Sequence, residues 1–329
     1  MTTDSLRRAA TLLGGTLLTV AAFAAPAASK DWTVTQLPSL ANLGDEARGI
    51  NDRGQIVGTS NVAQNYPHPV LWDNGRVTDL LADNPAYGVA NAINFSGAIA
   101  FTERSGIAVW QDGATKSLGI AGEPQDINRS GDVVGYFFPC GEIGCGAQRG
   151  FYYSNGVVTD IGSLGNNVTA ANGVNDKGVV VGYSRLPNSS TDHAVMWKDG
   201  VLKDLGTLGG TNSYAVDVNN GVILGTADAP DGVNHMVTWD INGGLLLDYG
   251  PRLAGHSIND HGAIVGNNLD TGKPFLLEDG TFTWLLDLPA MRAQGWTAFA
   301  PFDIDDHGSV VGIGFKAGAG SVALLLKPR

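Results

Sequence analysis

The chain has little charge, little sulfur and no catalytic signature. Only 16% of its residues are charged and 43% are hydrophobic, which favours a well-buried core over disorder. Gly-x-Ser-x-Gly, His-Glu-x-x-His and a phosphate-binding loop are all absent from the sequence. Beyond the N-terminal residues, no segment is long and apolar enough to predict a membrane helix. No motif therefore indicates catalysis, and no membrane partner is expected.

Basic residues are also scarce. The chain has 20 Lys and Arg against 32 Asp and Glu, and its formal net charge is −12. No basic patch occurs, so nucleic acid and anionic membrane surfaces are not expected as partners. An acidic surface favours solubility and, weakly, cationic ligands. We expect a monomer.

Cysteine is limited to Cys140 and Cys145, which lie in the run Cys140-Gly-Glu-Ile-Gly-Cys145. In an exported protein this spacing predicts a local disulfide. A metal site would need more soft ligands than this loop offers, and no cofactor is expected. Because the closed ring is short, the bond would stiffen one loop rather than stabilise the whole domain.

Residues 1–29 have the pattern of a secretory signal peptide. Arg7 and Arg8 form a positive start, residues 11–23 are apolar, and small residues follow. Cleavage is expected after Ala24 or Ala28, by the general secretory route. Removing residues 1–29 changes the formal charge from −12 to −13, because Asp4 leaves with the two arginines. The mature protein is therefore expected in the periplasm or outside the cell.

One motif repeats seven times at a spacing of about 42 residues, and an apolar residue followed by Asn or Asp anchors each copy. The steps between anchors are 43, 34, 47, 44, 40 and 46 residues. A Gly two or three residues later completes a tight turn, since the Asx side chain bonds nearby backbone and Gly accepts a positive φ. The anchors are Ile50-Asn51, Ile93-Asn94, Ile127-Asn128, Val174-Asn175, Val218-Asn219, Ile258-Asn259 and Ile304-Asp305.

Each copy reads as short antiparallel strands. Val180-Val181-Gly182 is typical of the second strand, and Asp199-Gly200 is typical of the turn that joins the third strand to the fourth. Four strands in about 42 residues is the size of a propeller blade, so we predict an all-β, seven-bladed β-propeller. A β-helix is disfavoured because its coils are shorter and need no pair of hairpin turns. Aromatic residues at third-strand ends are expected core anchors: Trp72, Trp110, Tyr153, Trp197 and Trp239.

The seventh copy has no fourth strand after residues 322–326. A strand-like segment without a blade, residues 32–37, precedes the first copy. We therefore predict that the N-terminal strand closes the last blade, which removes two exposed sheet edges. Residues 30–329 would then form one propeller domain.

The segment Asp204-Leu-Gly-Thr-Leu-Gly-Gly210, with Asn219 after it and His193-Ala-Val before it, resembles the HAF repeats of bacterial extracellular proteins. The family takes its name from a His-Ala-Phe triplet. The resemblance covers nearly all of residues 40–326, although only His193 and Ala194 keep the first two letters of the triplet. It implies export and a repeat architecture, and it implies no particular activity.

The two faces of the predicted ring differ. In an up-down-up-down blade, the tight first–second and third–fourth turns share one face, here called the turn face. The second–third loops and the inter-blade connections share the other, here called the loop face, and long loops on a rigid scaffold are where binding is expected. The long loops are predicted at residues 59–67, 136–149, 183–192, 206–214, 226–234 and 288–301.

The first strand of each blade should line the central channel. Residues three before the anchor Asn form an upper ring at the loop-face mouth, and residues two before it form a lower ring. The upper ring is Arg48, Asn91, Gln125, Asn172, Val216, His256 and Phe302, and the lower ring is Gly49, Ala92, Asp126, Gly173, Asp217, Ser257 and Asp303. Side chains that diverge on a repeated scaffold suit a grafted ligand site. The alternative is that they fill the channel with polar groups. The ligand-binding candidates are Arg48, Asn91, Gln125, Asp126, Asn172, Asp217, His256 and Asp303.

Other polar residues are expected to be structural. His68, His193 and His235 share one repeat position and should hydrogen-bond the neighbouring turn. His261 and His307 are expected to be solvated on the turn face. Asp303, Asp305 and Asp306 offer oxygen atoms that calcium could use, but their spacing matches no EF-hand loop, so turn roles are favoured.

Two functions remain open. The first is a secreted binding or scaffold propeller with a glycan or protein ligand at the loop face. The second is a secreted polysaccharide hydrolase or lyase, in which Arg48 neutralises a substrate carboxylate, His256 acts as base and Asp126, Asp217 or Asp303 acts as acid. Convergence of Arg48, His256 and an Asp would favour the enzyme. A mouth plugged by Phe302 and Val216 would favour the scaffold.

Overall fold

The computed structural model describes residues 31–63, 66–82, 87–141, 144–318 and 320–329. Seven four-stranded antiparallel sheets form seven blades, which confirms the predicted propeller. The predicted signal peptide, residues 1–29, lies outside the described residues. Within the described ranges, no helix is long and apolar enough to cross a membrane.

In each blade the four strands follow one another from the channel to the rim. Blade 1 contains β2 (Asp45–Ile50), β3 (Ile56–Ala63), β4 (Tyr66–Asp73) and β5 (Arg76–Asp79). Blade 2 contains β6 (Val89–Ile93), β7 (Ile99–Glu103), β8 (Gly106–Gln111) and β9 (Ala114–Ser117). Blade 3 contains β10 (Gly122–Ile127), β11 (Val133–Phe137), β14 (Arg149–Ser154) and β15 (Val157–Asp160). Blade 4 contains β16 (Thr169–Val174), β17 (Val180–Arg185), β18 (Asp192–Lys198) and β19 (Val201–Gly206).

The remaining blades repeat this order. Blade 5 contains β20 (Ser213–Val218), β21 (Val222–Asp228), β22 (Asn234–Asp240) and β23 (Leu245–Pro251). Blade 6 contains β24 (Leu253–Ile258), β25 (Ile264–Asn268), β26 (Pro274–Glu278) and β27 (Thr281–Trp284). Blade 7 contains β28 (Ala298–Ile304), β29 (Val310–Phe315), β30 (Val322–Pro328) and β1 (Trp32–Gln36).

Blade 7 is completed by the N-terminal strand. Strand β1 pairs antiparallel with β30, from Trp32 opposite Pro328 to Gln36 opposite Leu324. The backbone N–H of Leu37 extends the ladder by donating to the carbonyl of Ala323 over 2.9 Å. The predicted closure is therefore confirmed, and both ends of the chain are held in one sheet.

Several predicted loops are partly regular structure. Residues 59–63 continue β3, because their backbone still pairs with the third strand of blade 1. The loop of blade 3 contains a short ladder, β12 (Cys140–Gly141) with β13 (Gly144–Cys145). The connection before blade 7 contains a 3-10 turn, Leu285–Asp287, and a short helix, α1 (Pro289–Ala293), which bury Leu285 and Met291. The predicted loop boundaries were wrong where the backbone N–H and C=O groups of a polar segment still pair with a neighbouring strand.

The core lies between the blades rather than at one centre. Buried apolar residues form seven clusters, and each cluster combines side chains from two adjacent blades. In one cluster Trp72 and Ile56 of blade 1 pack with Val311 and Ala323 of blade 7. The predicted aromatic anchors are buried, except that Trp110 is half-buried. Each blade therefore needs both neighbours to cover its faces, and ring closure completes the core.

Candidate functional site

A β-bulge occurs at the same position in the first strand of all seven blades. The pairing with the second strand shifts register between the residues that flank each upper-ring position, as between Ala47 and Gly49 in blade 1. A bulge sets two residues of one strand against one of its partner and re-aims their side chains. This explains why the upper and lower rings both face the channel, although neighbours on a regular strand point to opposite sides.

All seven upper-ring residues line two connected spaces at the loop-face mouth. The wider space, here called the vestibule, has a volume of about 840 Å³. The narrower space below it, here called the neck, measures about 140 Å³ and is also lined by Asp126, Asp217, Ser257 and Asp303 of the lower ring. The vestibule is within the size range of ligand sites. The upper-ring residues therefore lie together at one mouth of the channel, and their role in binding stays a prediction.

The vestibule extends outward over blades 2 and 3. The shortest step, 34 residues, runs from Asn94 of blade 2 to Asn128 of blade 3, and only Arg104 and Ser105 join β7 to β8. This low hairpin leaves space beside the channel. The outward wall is formed by Tyr87, Val89, Thr102, Glu103, Arg104, Ser105, Glu123 and Tyr136. Sequence reasoning missed these residues because it looked for sites on long loops, and the short 34-residue step was the available signal.

The three lower-ring aspartates link blades to one another. Asp126 accepts the N–H of its neighbour Ile127 (2.7 Å) and that of Val174 in blade 4 (2.8 Å). Asp217 links blade 5 to blade 6 in the same way, through the N–H of Ile258 at 2.8 Å. Asp303 links blade 7 to blade 1 through the N–H of Ile50, also at 2.8 Å. The lower-ring residue Gly173 lies against Asp217, where an added Cβ would come within 3.3 Å of a carboxylate oxygen, so the glycine leaves room for this carboxylate.

Where no lower-ring aspartate joins two adjacent blades, other side chains do so. Asn91 donates to the carbonyl of Pro124 in blade 3 over 2.5 Å, and Asn172 donates to that of Ala215 in blade 5 over 2.8 Å. Ser257 of blade 6 donates to Asp303 over 2.8 Å. Among the described residues, no hydrogen bond of this kind joins blade 1 to blade 2 at the mouth.

These carboxylates lie deep in the protein but face the narrow water-sized space of the neck. Burial raises the pKa of Asp126 to about 7, and the charge of Asp217 adds to the rise. Burial also raises the pKa of Asp303 to about 7, although the Ile50 N–H opposes the shift. The pKa of Asp217 is raised by burial as well. The neck therefore holds proton-binding groups that are coupled by their charges.

Arg48 and His256 lie at the mouth of the channel, but neither forms a hydrogen bond with a described aspartate. Arg48 donates twice to Oε2 of Glu46, at 2.7 and 3.1 Å, and its guanidinium lies 5.7 Å from the ring centre of Phe302. Burial lowers the pKa of His256. Within the described part of the chain, no hydrogen bond connects Arg48, His256 and an Asp. The convergence that the hydrolase hypothesis requires is thus not formed in this conformation.

The anchor residues form a second ring of links at the turn face. The amide of Asn51 donates to the carbonyl of Asn94 over 2.9 Å, and each following Asn donates to the next blade at 2.8 to 3.2 Å. In blade 7 the anchor is Asp305, which has no amide N–H to donate. Its carboxylate instead accepts the N–H groups of His307 and Ser309, as predicted for a turn. The anchors are therefore structural residues.

The remaining histidines take the predicted structural places. His68 bonds Asp79 at 2.8 Å, and His193 and His235 bond Asp204 and Asp248 in the equivalent way at 2.9 Å. Each Asp also accepts a backbone N–H two residues on, so the His orients the turn-forming carboxylate. The side chains of His261 and His307 are 72% and 66% exposed on the turn face, which confirms that they are solvated.

No metal site is built by these groups. The described residues contain no cluster of three or more His, Cys, Asp or Glu side chains that could hold a metal ion. Cys140 and Cys145 are opposite each other in the β12–β13 ladder. Their side chains lie outside the described part of the structure, so the disulfide stays a prediction. The backbone register of the β12–β13 ladder suits a disulfide, because directly opposed antiparallel residues have the Cα spacing that a disulfide needs.

Comparison with known proteins supports the fold alone. No family model matches the chain, so the HAF resemblance stays a prediction. No curated protein matches either. Among solved structures, YCF48 bound to D1 peptide is 13% identical, with a TM-score of 0.50 over 92% of this chain and 98% of that one.

Two further structures share the architecture. A puromycin-hydrolyzing peptidase of Mycobacterium tuberculosis is 11% identical and has a TM-score of 0.57 over 89% of this chain. The present chain spans only 54% of that peptidase. The β-propeller domain of the Trilobed protease from Pyrococcus furiosus is 12% identical and has a TM-score of 0.50, with 86% of this chain and 95% of that chain covered. At these identities the likeness establishes a β-propeller and no activity.

Proposed function

We propose that this protein is an exported β-propeller that binds a peptide segment of a protein partner in the vestibule and does not catalyse a reaction. One observation carries this proposal. A cavity of about 840 Å³ opens at the mouth, while the deep carboxylates beneath it are engaged by backbone N–H groups that hold the ring together. Binding space is present, and the groups that a reaction would need have structural roles.

The outward wall suits a peptide. Glu103, Glu123 and Arg104 offer charges of both signs, and the Tyr87 side chain is 58% exposed beside them. Exposed tyrosines supply contact area at small entropic cost, and flanking charges give specificity to a peptide ligand. YCF48, a propeller of similar size, is seen with a bound peptide, which supports this class of partner. A glycan ligand is the alternative to be separated by experiment.

The hydrolase or lyase hypothesis has less support. A carboxyl with a pKa near 7, such as that of Asp303, could serve as a general acid. However, one Asp303 oxygen accepts the N–H of Ile50 and the other accepts Ile304 and Ser257, so this carboxyl is already engaged in three structural links. We therefore favour binding over catalysis.

Export is part of the proposal. The apolar segment after Arg7 and Arg8 and the short Cys140–Cys145 spacing both suit a secreted protein. N-terminal sequencing of the protein recovered from the periplasm or medium should give a start just after Ala24 or Ala28. Recovery of the full-length chain in the cytoplasm alone would contradict export.

The binding test uses residues 30–329 on a peptide array and a glycan array, followed by titration of the hits. We expect peptide hits whose affinity falls in Tyr87→Ala, Arg104→Ala and Arg48→Ala. The matched controls are His261→Ala and His307→Ala, which alter exposed side chains of the turn face and should bind as the wild type does. Glycan hits with product formation would establish the hydrolase alternative. Peptide hits that are insensitive to the vestibule variants would refute the proposed site.

A further inference from the structure

The vestibule and the neck together carry an unbalanced set of charges. Five carboxylates line them: Glu103 and Glu123 in the vestibule and Asp126, Asp217 and Asp303 in the neck. Two arginines face this set. Arg48 is already bonded to Glu46, and Arg104 lies on the outward wall away from the neck residues. The other basic group, His256, is held toward its neutral form because burial lowers its pKa. The neck therefore holds more carboxyl than basic groups, and it becomes negatively charged as Asp126 and Asp303, whose pKa values are about 7, ionise.

The neck is also rich in hydrogen-bond acceptors. Each lower-ring carboxylate oxygen accepts a backbone N–H or a hydroxyl, and an ionised carboxylate has about four acceptor positions. Gln125 faces both spaces from an unpaired bulge position. The amide nitrogen of Asn91 is turned away to Pro124. A ligand group that enters the neck must therefore bring donors and positive charge.

The shape of the two spaces indicates which cation fits. The neck, at about 140 Å³, lies below a much wider vestibule. A lysine carries a compact ammonium with three donors on a flexible four-carbon stem, whereas the arginine guanidinium is a broad planar fork. The stem could pass the apolar side chains of Phe302 and Val216 at the mouth while the ammonium reaches the lower ring.

We propose that the neck is a subsite for the ammonium group of a lysine side chain that is carried by the peptide bound in the vestibule. This inference rests on the proposed function and names the side chain that the ligand inserts. The ammonium lies among Asp126, Asp217 and Asp303, and the flanking peptide residues contact the wall over blades 2 and 3.

The probes are Nα-acetyl-lysine amide and Nα-acetyl-norleucine amide, which differ by the ammonium group. Titration of residues 30–329 by NMR or calorimetry should show binding of the lysine probe, and binding of the norleucine probe should be roughly tenfold weaker or undetectable, as expected for loss of a charge-assisted contact. The affinity should fall with added salt, because the attraction is electrostatic. Equal binding of the two probes, or tighter binding of the corresponding arginine amide, would overturn the lysine assignment.

Two variants test the location. Gln125→Lys should place a cation of the protein itself in the neck and abolish lysine-probe binding, whereas Gln125→Met, of similar volume, should retain it. Since Gln125 has no hydrogen bond to a neighbouring blade within the described ranges, neither change should prevent folding. Asp217→Asn should lower the affinity for the lysine probe roughly fivefold, whereas Asp260→Asn, on the turn face, should leave the affinity unchanged. Retained binding in Gln125→Lys would overturn the proposal.

The acidity of the neck provides a further readout. Because burial raises the pKa of Asp126 and Asp303 to about 7, the bound ammonium favours their ionised forms and expels protons. Affinity should therefore rise from pH 6 to pH 8. Deprotonation of His256 acts in the same direction. The other charged groups that face these spaces are Arg48, Arg104, Glu103 and Glu123. An affinity that does not change over this range would contradict a site at the carboxylates.

Failure of this inference is distinguishable from failure of the proposed function. Array peptides that depend on Tyr87 and Arg104 but bind equally well when every lysine is replaced by norleucine would retain the vestibule and reject the lysine subsite. Absence of any peptide that depends on the vestibule would reject the proposed function itself.

Discussion

The carboxylate of Asp303 accepts the N–H of Ile50 over 2.8 Å, and so joins the last blade of the propeller to the first. These residues are 253 positions apart in the chain. The same carboxylate also accepts Ile304 and Ser257, so one side chain contacts blades 6, 7 and 1. Closure of the ring thus depends on a buried polar group as well as on the paired strand β1.

Asp303→Ala should destabilise the protein by about 1–3 kcal/mol, since the N–H of Ile50 loses its acceptor in a buried place. Urea unfolding of residues 30–329 would measure the change. Asp260→Ala, at an exposed link on the turn face, is the control and should change stability by less than about 0.5 kcal/mol. Equal effects of the two substitutions would show that the lower-ring link is unimportant.

Deleting residues 30–38 should destabilise the domain by more than about 3 kcal/mol and promote aggregation, because it removes two buried apolar side chains and exposes a strand edge. The buried residues are Val34 and Leu37. Thermal melting and light scattering would compare this truncation with a chain that starts at residue 30. Identical melting of the two chains would contradict closure by β1.

Stability should depend on pH through the lower ring. Asp126 and Asp303 have a pKa of about 7 when folded and an ordinary value of 3.8, so the folded state holds more protons between these limits. The contribution of these two carboxyls to the free energy of unfolding is complete at low pH and is lost as pH rises through 7. The free energy changes by up to about 1.4 kcal/mol per pH unit for each proton. His256 opposes this trend below its ordinary pKa of 6.5, because its folded pKa is lowered.

Unfolding in urea at several pH values between 5 and 8.5 would reveal this dependence. The slope should be smaller in Asp126→Asn, which cannot titrate at that position. His256→Ala should increase the gain in stability toward acid pH, because it removes the opposing group. A wild-type protein that is more stable at pH 8 than at pH 6, with or without His256, would contradict the direction expected here.

The His–Asp pairs should affect stability and not binding. His235→Ala removes the histidine partner of Asp248, which keeps only the N–H of Gly250, and should cost about 1 kcal/mol, as for a typical hydrogen bond. Its matched control is His261→Ala, whose side chain is 72% exposed and should be silent in melting experiments. Loss of ligand binding in His235→Ala, with unchanged melting, would indicate a direct role that the geometry does not support.

The predicted disulfide has its own measurement. In secreted protein, mass spectrometry should find Cys140 and Cys145 joined to each other, and replacement of both by Ser should lower stability by less than about 2 kcal/mol because the ring is short. Two free thiols, or a dimer that is linked through them, would contradict the pairing.

The fold was predictable because its local chemistry repeats. The anchor Asn and the Gly that follows it specify a tight turn wherever they occur, as at Asn175 and Gly178. Counting strands then leaves the seventh copy one strand short, and residues 32–37 were the segment available to complete it. The upper ring followed from the same count, since each member lies three residues before its anchor.

The site was less predictable because its features depend on the partners of a strand. The bulge at Gln125 leaves no mark in composition, and only the pairing of β10 with β11 reveals it. The links made by Asp126 and Asp217 depend on N–H groups of the next blade, about 40 to 50 residues away. The vestibule lies where a loop is short, whereas long loops are the sequence feature that usually indicates a binding site.

Two rings of hydrogen bonds between adjacent blades surround the channel, one at the turn face and one near the lower-ring residues. At the turn face six amide links join successive blades, and between blades 7 and 1 the N–H of Asp306 donates instead to the carboxylate of Asp52 over 3.0 Å. Near the lower ring, the described residues form a hydrogen bond between every pair of adjacent blades except blades 1 and 2. Of these two rings, the joint between blades 1 and 2 therefore has only the turn-face link, from Asn51 to Asn94. Mechanical load or thermal strain would concentrate at this joint, so the ring of blades is expected to open there first.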